Sequence, residues 1–177
     1  MTTGSGSVTL ALTTPGGARL TCTANSKATL SGIAAFAGCK VDKAGIYTLT
    51  ATGVSLTSTT SGSFTITAGT AAKLGFSTQP SGGTSQVGLA TQPVVAIRDA
   101  FGNAVTGNTS SVNLALTTPG GATLACVNNP KAAVAGVATF GGCKVDKTGT
   151  YTMTATNGTL TLATSTNFTI TAGAPAG

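Results

Sequence analysis

From Ser7 to Thr13 apolar and polar residues alternate, with Val8, Leu10 and Leu12 on one side and Thr9, Ala11 and Thr13 on the other. A period of two predicts a half-buried β-strand. Pro15-Gly16-Gly17 ends it in a turn. Ala18 to Thr23 predicts a second short strand with Leu20 and Cys22 on one face, and Ile33 to Val41 a third. In that third strand Phe36 and Cys39 have opposite parity, so placing both in a core requires a bulge, at Ala37-Gly38. A fourth strand opens at Tyr47, with Leu49 and Ala51 also facing in and Thr48, Thr50 and Thr52 facing out. Phe64 to Thr67 reads as a closing strand, followed by an Ala68-Gly69 linker.

This pattern occurs twice. Residues 7–69 return as 111–173 without a gap, at an offset of 104 positions (112 − 8, for Val112 and Val8). Both copies open SV-x-LALTTPGGA, carry CKVDK and G-x-YT-x-TAT, and close FTITAG. Cys22 thus maps to Cys126, Cys39 to Cys143, Tyr47 to Tyr151 and Phe64 to Phe168, and the second bulge falls at Gly141-Gly142. A repeat this long is a whole domain, not a solenoid unit. Residues 71–110 occur once. Lys73 to Phe76 predicts a short opening strand, ended at Gln79-Pro80, and Pro93 to Arg98 (PVVAIR) an apolar strand. Asp99, Gly102 and Asn103 mark a turn, Gly and Asn being suited to positive φ. Seven period-two strands with no helical periodicity predict an all-β fold, an Ig-like Greek-key β-sandwich in tandem repeats.

The domain organisation follows. Residues 1–69 form an incomplete repeat lacking its two opening strands, 70–174 a complete one, and 175–177 a tail. MTTGSG at the start aligns with VTGNTS at 105–110, so the chain opens inside a loop and reads as an excised piece or gene fragment. The most informative motif is Asp42-Lys-Ala-Gly45-Ile-Tyr47, repeated as Asp146-Lys-Thr-Gly149-Thr-Tyr151. An acid and a Gly just before a strand-opening Tyr match the tyrosine corner of Greek-key sandwiches, whose hydroxyl bonds the backbone of the preceding loop.

Composition narrows the function. Charged residues are 7% of the chain, against roughly 25% in an average domain, yet the apolar residues fall in alternating runs, which excludes disorder. The net charge of +6 comes from nine basic residues against Asp42, Asp99 and Asp146. The bases are scattered singly without interleaved aromatics, so no nucleic-acid surface is expected. No apolar run approaches a membrane span, and Met1 leads into TTGSGS without the basic and apolar regions of a signal peptide. The four cysteines form two pairs with the same spacing, and His is absent. That argues against zinc and for one disulfide per domain, Cys22–Cys39 and Cys126–Cys143, in an oxidising compartment. Closing such a loop stabilises by about 3 kcal/mol in the chain-entropy model.

Catalytic chemistry is poorly supplied. With no His, no Glu and three Asp in turn motifs, no Ser or Thr has a base partner, and we expect no enzyme, cofactor or metal site. The Asp residues are expected to accept backbone N–H groups. A Lys–Asn isopeptide bond promoted by Asp42 or Asp146 is disfavoured, because Lys40, Lys43, Lys144 and Lys147 lie too close in sequence to bridge strands. Threonine rows such as Thr48-x-Thr50-x-Thr52 are the ordinary choice for a solvated strand face. The N-x-S/T triplets at Asn108, Asn157 and Asn167 are expected by chance in a Thr-rich chain.

The run KLGFSTQPSGG…QPVVAIRDAFGNAV…SVNLALTTPGG…CKVDKTGTYTMTAT…FTIT resembles the bacterial immunoglobulin-like repeats of large surface adhesins and invasin/intimin-type proteins. The D-x-x-GN turn and the D-x-x-G-x-Y corner carry the resemblance, over all of 71–174 and over 7–69 as a partial copy. It implies a tandem extracellular module. It departs from antibody domains at Leu49 and Met153, where an inter-sheet Cys would stand.

Residues 7–69 lack the opening strands that 73–107 supply to the second copy. The half-domain is a truncation, or it borrows strands from another chain, or 73–107 folds back onto it. Each chain has one opening segment for two copies, so swapping among identical chains always leaves one copy short. We expect a longer array to supply the missing strands upstream of Ser7. The expected role is a stalk, spacer or fibre tile of a bacterial surface protein, its partners neighbouring Ig-like repeats. Alternatives are a filament subunit completed by a neighbouring chain, and an adhesin domain binding carbohydrate or a host surface through its end loops.

Overall fold

A computed structural model of the chain describes residues 6–173, and they are all strand, turn and loop. The expected tail at 175–177 and the first five residues lie outside the described residues. The chain forms two compact units, divided between Thr67 and Ala68.

The first unit contains β1 (Ser7–Leu12), β2 (Leu20–Thr21), β3 (Lys27–Ala28), β4 (Lys40–Val41), β5 (Gly45–Tyr47), β6 (Leu49–Gly53), β7 (Thr59–Thr60) and β8 (Phe64–Ile66). Its main sheet has the order β3-β1-β6-β7, and β2-β4 and β5-β8 are separate pairs. The second unit contains β9 (Lys73–Thr78), β10 (Gly83–Thr84), β11 (Val94–Arg98), β12 (Ser111–Leu116), β13 (Leu124–Val127), β14 (Lys131–Ala132), β15 (Val137–Thr139), β16 (Gly141–Val145), β17 (Gly149–Tyr151), β18 (Met153–Thr156), β19 (Ala163–Thr164) and β20 (Phe168–Thr171). Here β14-β12-β18-β19 repeats the sheet of the first unit, β13-β16 and β17-β20 repeat its pairs β2-β4 and β5-β8, and β15-β11-β9 and β10, beside β20, are added.

Alternation sets the faces. Along β12 Val112, Leu114 and Leu116 are buried while their neighbours are exposed. Leu114 lies opposite Ala155 and Leu116 opposite Met153 on β18, so a period of two on each strand builds one apolar surface. These residues share one core with Val95 and Ile97 of β11, Phe140, Cys143 and Val145, and Phe168 and Ile170 of β20. The second unit is therefore a closed all-β sandwich of Ig-like type.

The bulge explains how Phe140 and Cys143 both reach that core. Pairing of β13 with β16 runs Ala125↔Lys144 and then Val127↔Gly141, which leaves one extra residue on β16. Gly142 has φ +61 there, and a Cβ on it would press on the Val127 side chain, so glycine is required.

Three expected strands differ. The strand opening at Tyr47 is two, because β5 pairs with β8 while β6 pairs with β1. Thr48 is the crossing point, and Thr152 is its counterpart. The strand from Ile33 to Val41 exists in the first unit only as β4, and the one from Ala18 to Thr23 shrinks to β2. In the second unit the stretch equivalent to Ile33–Ala35 is β15, held by pairing with β11. The first unit has no such partner among the described residues, so the same pattern does not make a strand. Beyond the seven expected strands, the short β10, β14 and β19 are new in the second unit, and β3 and β7, the counterparts of β14 and β19, are new in the first.

Candidate functional site

The turn at Asp99 is a built anchor. Asp99 is 2% exposed, and its carboxylate is fully engaged. It accepts N–H groups from Gly69 at 2.9 Å, Phe101 at 3.0 Å and Asn103 at 2.9 Å, and the Asn103 side-chain amide at 2.9 Å. Gly102 closes the turn at φ +96. Burial pushes the carboxyl up. The hydrogen bonds from the Asn103 side chain and from the backbone of Gly69, Asn103 and Phe101 outweigh it, leaving the group lowered to about 2. The bond to Gly69 ties the start of the second unit to the end of β11.

The tyrosine motif is built the same way in both units. The Tyr47 hydroxyl donates to the Lys43 carbonyl at 3.0 Å, and the Tyr151 hydroxyl to the Lys147 and Thr148 carbonyls at 3.2 and 3.1 Å. The ring lies over the preceding glycine. A Cβ at Gly45 or Gly149 would stand 2.9 Å from the hydroxyl. The acids do not bond the tyrosine. Asp42 accepts the Arg19 N–H and Asp146 the Thr123 N–H, each at 2.7 Å, pinning the chain that enters β2 and β13. The Thr123 N–H holds the Asp146 carboxyl below its ordinary range, with burial opposing. Lys43 reaches instead to the Gly16 carbonyl at 2.7 Å.

Both disulfides are formed, Cys22–Cys39 and Cys126–Cys143. Their settings differ. Cys143 is 0% exposed in the core, whereas Cys39 is exposed.

Side-chain clips that sequence reasoning missed complete the sheets. Gln92 acts as a strand for Cys143, accepting its N–H at 2.8 Å and donating to its carbonyl at 3.2 Å. Asn25 brackets Leu10 in the same fashion, and Asn129 brackets Leu114. The Asn pair was findable, since it recurs at the offset of 104 (129 − 25). Gln92 occurs once and carries no such signal.

Among the described residues, one face of the first unit is left uncovered. A groove of about 420 Å³ is lined by Val8, Leu10, Ala34, Phe36, Ala51 and Leu56, among others. Five of these have identical counterparts in the buried core of the second unit, namely Val112, Leu114, Ala138, Phe140 and Ala155. Among the described residues, β8 pairs only with β5, while its counterpart β20 lies between β10 and β17. Among the described residues, no three of His, Cys, Asp and Glu come together in a way that could hold a metal.

No protein-family model matches the sequence, and no curated protein matches it. Among solved structures it is similar to a glycosyl hydrolase family 2 member from Bacteroides cellulosilyticus (16% identity, TM-score 0.47), covering 71% of this chain and 17% of that one. It is similar to domains 4–9 of the surface layer protein SbsC (16%, TM-score 0.43), covering 97% of this chain and 22% of that one. A third likeness is to the D0-D1 domain of intimin (12%, TM-score 0.42), covering 94% and 82%. The chain spans about a fifth of the hydrolase and surface-layer chains. At this identity and TM-score these likenesses carry no argument about activity.

Proposed function

We propose that this chain is a structural tandem Ig-like module of an extracellular bacterial surface protein, serving as a stalk or spacer. The observation that carries this is the closed second unit. Its core, disulfide and tyrosine corner all stabilise the sandwich, and Asp99 grips the chain that enters it. The disulfides support an oxidising, extracellular setting.

A spacer must hold its length under tension. Cys126 and Cys143 are 17 residues apart and bonded, so the disulfide withholds about 55 Å of extended chain at roughly 3.5 Å per residue. Pulling single molecules by their ends tests this. The second unit is expected to unfold in one discrete step that lengthens by about 55 Å on reduction. Gradual yielding without a step would rule out the spacer role.

A further inference from the structure

We propose that the open face of the first unit is a docking groove for one occupant: a polypeptide segment with the strand pattern of residues 70–106. The second unit shows that segment seated on an almost identical face. The acceptor residues Val8, Leu10, Leu12, Phe36, Val41 and Ile66 recur unchanged as Val112, Leu114, Leu116, Phe140, Val145 and Ile170. In the second unit all six are buried in the same core as Leu74, Leu89, Val95 and Ile97, which the segment supplies. In the first unit only Leu12 is buried, and Val8, Leu10 and Phe36 line the groove.

Backbone positions match as well. In the second unit β11 pairs with Val137–Thr139, β10 runs parallel to β20 through Gly83↔Ile170, and Leu74 donates its N–H to the Thr161 carbonyl at 2.8 Å. The corresponding acceptors are Ile33–Ala35, Ile66 and Thr57. Strand addition to such edges gives affinity through main-chain hydrogen bonds and register through alternate side chains. Gly82 sets the register further, because a Cβ there would collide with the Thr169 carbonyl, whose counterpart is Thr65. The chain's own copy of the segment is engaged, since Val95 and Ile97 are 0% exposed in the second unit. The occupant is therefore a further segment of the same pattern.

The test uses the full oxidised chain and a dye-labelled peptide of residues 70–106, followed by fluorescence anisotropy. One peptide per chain is expected. The peptides Ile97→Asp and Gly82→Ala should each bind at least about tenfold more weakly, and the chain variants Leu10→Asp and Phe36→Ser should lose binding while the melting of the second unit stays put. Bound peptide should also slow reduction of Cys22–Cys39, because Cys39 takes on the burial of Cys143. Four results would overturn the proposal. These are no binding, equal binding of the Ile97→Asp peptide, binding that survives both chain variants (exchange into the second unit), and chain–chain association that occupies the groove instead.

Discussion

The two units hold the same motif with and without its covering strands. Val112 is fully buried and Val8 is not; Cys143 is sealed and Cys39 is open. The local sequence is nearly the same at each pair, so burial here is set by the neighbours a residue is given. Both units still keep the main sheet, the disulfide and the buried tyrosine. The strands of 73–98 therefore supply the cover of the core. The framework beneath it forms in either case.

The largest expected effect comes from paired core truncations. Phe140→Ala should destabilise the second unit by about 3–5 kcal/mol, whereas Phe36→Ala should destabilise the first by about 1 kcal/mol, since little contact is lost where the ring is half open. Denaturant unfolding followed by residue-resolved NMR separates the units, and equal losses would break the comparison. Next is the pair of disulfides. Removing Cys126–Cys143 should remove about 3 kcal/mol from the second unit. Under limiting reductant, mass spectrometry after alkylation should find Cys22 and Cys39 labelled first. Simultaneous labelling would mean that the first unit is covered in solution.

A smaller effect is expected from acid. The Asp99 carboxyl is lowered from 3.8 to about 2 on folding. Its contribution is thus complete above the unfolded value and lost as pH falls through the folded one. The second unit should lose about 2 kcal/mol between pH 4 and pH 2, and Asp99→Asn should remove that share of the pH dependence. A wild-type profile flat over this window would contradict the anchor. The smallest effect is expected at the glycine beneath the tyrosine. Gly149→Ala forces the Tyr151 ring to shift and should destabilise by about 1–2 kcal/mol, and Gly45→Ala by a similar amount, because both corners are built alike. A large difference between those two would show that the corner depends on the cover.

Much of this was legible from the chain. Period-two alternation gave the faces of β1 and β12, the apolar run PVVAIR marked β11, whose Val95, Ala96 and Ile97 are all buried, and opposite parity at Phe36 and Cys39 required the bulge that Gly142 makes in the second unit. The internal repeat showed which strands the first copy lacks. Other features were hidden for physical reasons. Alternation reports which way a side chain faces and not whether a partner strand is present, so Ile33–Ala35 looked like a strand. The crossing at Thr48 and Thr152 keeps the alternation on both sides, which conceals the change of partner. Gln92 and the short β10 act through backbone groups, and a two-residue strand leaves no hydrophobic period to read. The acid of the tyrosine motif was visible, but its partner, the N–H of Arg19 or Thr123, lies 23 residues away in sequence.

The most direct test of the central claim is amide hydrogen exchange on the intact chain, comparing Leu10 with Leu114 and Ala51 with Ala155. Each pair has the same residues and the same cross-strand partner. We expect the amides of the second unit to be protected close to its global stability and those of the first to exchange through much smaller openings, orders of magnitude faster. Equal protection at the two sites would contradict the account, because it would mean that the framework alone, without the strands of 73–98, closes the sandwich.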